Sequence, residues 1–145
     1  MKLFDAVQYI EKIASAQPSV NTVFEGNVYT LNELKDIKYA TFVITQQQHR
    51  LEEGFNYYHF ILYFVDRLTA AQDNRLLVQS TGVDTLTNVI QNLENDDIEY
   101  EGNVTINTFT QRFEAECAGA YADITLIFPS DYCNEDWEAD TSKIR

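Results

Sequence analysis

Glycine, histidine and basic side chains are all scarce in this sequence, and each scarcity removes a class of chemistry. The five glycines stand at positions 26, 54, 82, 102 and 119, never closer than seventeen residues. Phosphate-cradling loops and the dinucleotide fingerprint need several glycines within one turn, so both are excluded, and no nucleophile elbow is present. There are two histidines. His49 falls in a polar stretch and His59 on an expected strand, with no cysteine or carboxylate at metal-ligand spacing around either. Their expected roles are a solvated loop residue and a hydrogen-bonded strand residue. The two cysteines, Cys117 and Cys133, read as reduced, small buried hydrophobes. A Cys–His nucleophilic pair through Cys117 has only the residue types behind it.

Ten Lys and Arg stand against 23 Asp and Glu in 145 residues, a formal net charge of −13. Such a surface repels phosphate backbones and anionic lipids, which argues against nucleic acid or membrane as directly contacted partners. The basic residues form no cluster along the chain. Long apolar runs are missing too: the longest, 60–65, is strand-sized. Asp5 and Glu11 interrupt what would have to be the apolar part of a signal peptide, so the N-terminus is expected to be a mature helix and the protein to fold in a cytoplasm. Asn103-Val104-Thr105 is then an unused glycosylation pattern.

What is present is ample core material. Hydrophobic residues make up 45% of the chain and aromatics 13%, enough for one domain of this length to bury roughly two thirds of its unfolded surface. Leu3, Val7, Ile10 and Ala14 have helical spacing and predict an amphipathic helix of about four turns, stopped at Pro18. In 20–38, Val23-Phe24 reads as a short strand, Gly26-Asn27 as a turn, and 31–34 as a helical turn or loop. Residues 39–45 alternate as a strand, with Ala40, Phe42 and Ile44 on one face. The polar stretch 46–54 is too long for a tight hairpin turn and is expected to protrude. Residues 55–67 alternate and then turn apolar on both faces, as in a central strand covered by helices on one side and shielded on the other.

Asp73-Asn74 is an expected helix cap. A helical stripe follows at Val83, Leu86, Val89, Ile90 and Leu93, and Gly82 suggests an irregular start or a bend. The acidic run 94–102 leads to 104–113, whose apolar parity changes and predicts a bulge or break near Asn107-Thr108. Residues 122–129 form the cleanest strand, with Ile124, Leu126 and Phe128 inward and Asp123 and Thr125 outward. The fold class expected is α+β: an antiparallel or mixed sheet of about four strands with two helices packed on one face. Residues 1–129 form one domain, and 130–145 an acidic C-terminal arm.

Carboxylates offer little more. Asn134, Asp136, Glu138 and Asp140 alternate like the first ligands of a calcium loop, but Ala139 and Arg145 occupy positions that need Gly and Glu. Glu52-Glu53 and Asp96-Asp97-Glu99 are pairs that a chain this acidic produces by chance. No catalytic residue, cofactor or metal is therefore expected.

The stretch FNYYHFILYFVDRL, a loop carrying Asp73-Asn74, and VQSTGVDTLTNVIQNL together resemble the middle of the tail-terminator and neck-ring proteins of tailed bacteriophages. FTQRFEAECAGAYADITLIFP is similar to that family's C-terminal strand pair, with an A-G turn between the strands. The resemblance covers 1–129 in element order. It implies a virion structural protein in a homo-oligomeric ring of six or twelve copies, at the head–tail junction or tail end. DNA would pass through the ring's lumen without specific binding, with portal, connector or tail proteins as neighbours, and assembly would take place in the host cytoplasm. Acidic lumen walls would let phosphates slide past. Gln46, His49, Arg50 and Leu51 in the protruding stretch, with Tyr132 and Trp137 in the C-terminal arm, are the candidate inter-subunit contacts. Two other classes stay open: an acidic monomeric or dimeric protein-binding module such as a DNA-mimic inhibitor, and a small-ligand enzyme with carboxylates converging in a cleft.

Overall fold

The computed structural model describes residues 2–34, 37–113 and 115–130. The first helix, α1 (Leu3–Ser15), buries Ala6, Val7, Ile10, Ile13 and Ala14 along one stripe, the periodicity its sequence carries. Asp5 in its first turn accepts the Lys2 amide at 3.2 Å. Strand β1 (Thr22–Glu25) and a 3-10 helix (Val28–Asn32) follow, and the Asn27 side chain caps the latter by accepting the Tyr29 amide at 2.8 Å. Next come β2 (Thr41–Gln46), β3 (Arg50–Glu52), the long β4 (Phe55–Arg67), α2 (Arg75–Asn95), β5 (Glu99–Tyr100), β6 (Ile106–Arg112) and β7 (Glu116–Pro129).

The α+β class and the two helices match expectation, but the mixed sheet has seven strands rather than about four. Its order is β1-β2-β4-β7-β5, with β3 on β4 and β6 on β7. β1 runs parallel to β2, and the other pairings are antiparallel. Strand alternation sends Phe42 and Ile44, Phe60, Leu62 and Phe64, and Ile124, Leu126 and Phe128 into one core shared with both helices. Fully burying each such side chain contributes about 1.5–3 kcal/mol. The opposite face is only partly covered. At one end the 3-10 helix and Phe113 close over Val43, Val65 and Cys117. Further along, Tyr63 and Tyr121 pack with ring centroids 5.8 Å apart and stay half-buried.

Several boundaries differ from the sequence reading. β3 turns back into β4 through Glu53 and Gly54 alone, both at positive φ (51° and 81°), as a two-residue type I′ turn requires. Four of the nine residues 46–54, Gln46 and Arg50–Glu52, are thus paired strand. β6 holds a single register against β7 from Ile106–Ala122 to Arg112–Glu116, so no bulge lies at Asn107-Thr108. Its parity change arises because Ile106 packs toward the helical core while Phe109 joins the smaller cluster on the other face.

The Ala118-Gly119 step is not a turn but the interior of β7. A Cβ on Gly119 would lie 1.7 Å from the Phe64 carbonyl oxygen, so only glycine permits that cross-strand approach. α2 starts at Arg75, earlier than its stripe suggests, and runs through Gly82 without a break. A Cβ on Gly82 would come within 3.1 Å of Ala120 and the Phe64 ring; the missing side chain lets the helix lie close on the sheet. Asn74 stands at the N-cap position without capping. Its side chain instead accepts the Thr69 amide at 2.9 Å and donates to the Arg67 carbonyl at 3.1 Å, pinning the loop.

Candidate functional site

Four of the six candidate contact residues lie together on one arm built from the end of β2, β3 and the start of β4. Gln46 ends β2, Arg50 and Leu51 lie on β3, and His49 sits between the two strands. Tyr132 and Trp137, like Cys133 and the acidic arm, lie outside the described residues.

The arm is one antiparallel hairpin with an extra residue in it. Gln46 pairs with Phe60, and Arg50 with Tyr57. Between them the Gln47 amide donates to the His59 carbonyl at 2.8 Å, so Gln48 and His49 together oppose Tyr58. This is a β-bulge. The reciprocal bond of that pair is made by a side chain: the His59 amide donates to His49 Nδ1 at 3.1 Å. His49 Nε2 lies 3.2 Å from Gln46 Oε1, and Gln46 Nε2 reaches Glu25 on β1 at 3.4 Å. The His49 ring rests against Tyr58 and Phe60, with centroids 5.7 and 5.8 Å away. Partial burial, and then the nearby His59, push the His49 pKa below its ordinary value of 6.5. His49 is thus solvent-exposed between two strands, as expected, and its ring also takes a place in the ladder.

Past the bulge, the Arg50 guanidinium lies 4.0 Å from the Tyr57 ring centroid, bonds Glu52 at 3.2 Å and bonds Glu101 from the segment after β5. The hydrogen bond to Glu101 is the main cause of its raised pKa. These contacts are solvent-exposed and contribute little stability, but they fix the direction in which the arm points. Its tip presents Leu51, 61% exposed, and Phe55, 42% exposed. Beside the arm's base, α1, β1 and Gln46 enclose an open groove of about 400 Å³ whose lining includes Phe4, Val7 and Glu25. Phe4 is 68% exposed there. The acids Glu94, Asp96, Asp97, Glu99 and Glu101 are exposed at the same end of the sheet. Two of them engage tyrosines: Asp96 accepts from Tyr9 and Glu94 from Tyr100.

Against the opposite end of β4, strand β7 carries the one described cysteine. Cys117 is fully buried, and burial pushes its thiol up to about 11; the thiol donates to the Ala115 carbonyl at 3.4 Å. Asp66 is raised as well, chiefly by burial, and Arg67 sits 4.9 Å from the Tyr39 ring centroid. Cys117 pairs with Arg67, eight positions along β4 from His59, which is about 27 Å at strand spacing. His59 instead bonds Asp123 at 3.0 Å. A Cys117–His pair is therefore not formed. Glu52 and Glu53 sit exposed at the hairpin turn rather than in a cleft. Among the described residues, no three His, Cys, Asp or Glu side chains gather to hold a metal, and no helix is long and apolar enough to cross a membrane.

Sequence reasoning missed Phe55, Tyr57 and Glu101 as parts of the arm, and Phe4 beside it. Phe55 and Tyr57 carried a usable signal, since they continue the alternation of β4 beyond its buried part. Glu101 had none, because its pairing with Arg50 is set by the sheet order. No protein-family model matches the chain, and a search of curated proteins finds no match to it.

Proposed function

We propose that this chain is a non-enzymatic virion subunit of a tailed bacteriophage, forming a homo-oligomeric ring at the head–tail junction or tail end. The observation that carries the proposal is the arm: a hairpin rooted in the sheet with Leu51 and Phe55 exposed at its tip, close to a groove where Phe4 is exposed as well. A knob on one part of a subunit and an apolar groove on another make a heterologous contact, and such contacts close into rings when the rotation per subunit allows it. In this reading the arm of one copy seats in the Phe4–Val7 groove of the next. The acidic segment 94–101 lies at the same end of the sheet, where like charge toward a lumen lets DNA slide without adhering.

The exposed acids equally favour a second reading, an acidic monomeric or dimeric module that binds a basic protein surface in place of DNA. The mass of the purified protein across a wide concentration range separates the two. A discrete species of six or twelve copies is expected, and a strictly monomeric or dimeric protein would overturn the ring.

A further inference from the structure

We propose that His49 is a pH-operated latch on the hairpin arm: its neutral ring completes the backbone ladder at the bulge, and a proton on Nδ1 unlatches it. The latch lies within one chain and holds whether or not copies assemble into a ring.

The geometry dictates the tautomer. Nδ1 faces the His59 amide at 3.1 Å and can only accept. The remaining proton is then on Nε2, which faces Gln46 Oε1 at 3.2 Å and donates to it. Both ring nitrogens are thus used, and the neutral ring stands where a Gln47 carbonyl would in an unbroken ladder. Protonation places a second N–H on Nδ1, directly opposite the His59 N–H. Two donors then face each other, the His59 amide loses its acceptor, and the ring must swing away from Tyr58 and Phe60. The arm loosens at the bulge while β2 and β7 continue to hold the rest of β4.

The groups around the ring do not compensate. From β4, His59 adds positive charge when protonated, and Tyr58 and Phe60 are aromatic. From β7, the Asp123 carboxylate is engaged by His59 at 3.0 Å. From β1, Glu25 reaches the ring only through the Gln46 amide, and from α1, Glu11 lines the groove beside Gln46. Arg50, the next residue, is a cation turned toward Glu52 and Glu101.

The folded pKa is depressed, so the unfolded chain takes up the proton first. The contribution of His49 is complete above pH 6.5 and is lost as pH falls from there through the folded value.

Nitrogen NMR of the histidine rings, with hydrogen exchange of the His59 amide from pH 8 to pH 5, tests the latch. The expected result is the Nε2–H tautomer of His49 at pH 8. The His59 amide, corrected for its intrinsic exchange rate, then opens about tenfold more often, with a midpoint below 6.5 that matches the His49 titration. This step persists in His59→Asn, which keeps the amide and removes the second ring, and disappears in His49→Ala. An Nδ1–H tautomer, a flat His59 profile through the His49 titration, or a step that survives in His49→Ala would overturn the proposal.

Discussion

Along β7, strand β4 keeps one register from Phe55–Pro129 to Arg67–Cys117, whereas along β2 and β3 it meets a bulge at residues 47–49 where a histidine ring stands in for a carbonyl. The β7 side is packed to the limit. Ala118, Ala120 and Ala122 let α2 approach, and Gly119 lets the Phe64 carbonyl approach. The β3 side ends in an arm with exposed Leu51 and Phe55, tied down by ion pairs and one imidazole. One strand thus joins a close-packed core to an exposed projection. Bulges in general end or redirect regular pairing in this way where a structure must meet something else.

Substitutions on the two sides should differ in size. The largest effect is expected at Gly119→Ala, where the added Cβ meets backbone at 1.7 Å. Stability should fall by about 3 kcal/mol or more, read from urea unfolding, because neither strand can yield without disturbing the core. On the arm, a Cβ on Gly54 meets nothing within 4 Å, but its φ of +81° remains. Gly54→Ala should therefore cost only about 1 kcal/mol, and exchange should rise in residues 47–58 while β7 stays protected. If the two variants lost similar stability, the contrast between the sides of β4 would fail.

The parts legible in the sequence were those whose burial imposes a period. α1, β2, the apolar half of β4 and the last residues of β7 fill the core on one face, and their patterns show it. β3 was unreadable because Arg50, Leu51 and Glu52 are all exposed and so carry no alternation. The start of α2 was legible from Asp73-Asn74 and not from its stripe, because Leu76 and Leu77 point to solvent, 72% and 69% exposed. The start of β7 was mistaken for a turn because Ala and Gly there serve close packing rather than chain reversal. The candidate site was half legible. Gln46, His49, Arg50 and Leu51 were found from their position in a polar stretch between strands. The imidazole in the ladder was not, because it depends on a bulge that only the pairing of β4 reveals.

The proposed role of the arm in assembly is tested most directly by measuring the mass of the wild-type protein beside a Leu51→Asp/Phe55→Asp double variant under identical conditions. Both residues are solvent-exposed, so the variant should keep its far-ultraviolet circular dichroism and its unfolding midpoint. The wild-type chain should run as a closed oligomer of six or twelve copies and the variant as a monomer. A variant that still forms the same oligomer, or a wild-type chain that stays monomeric at every concentration, would contradict the account.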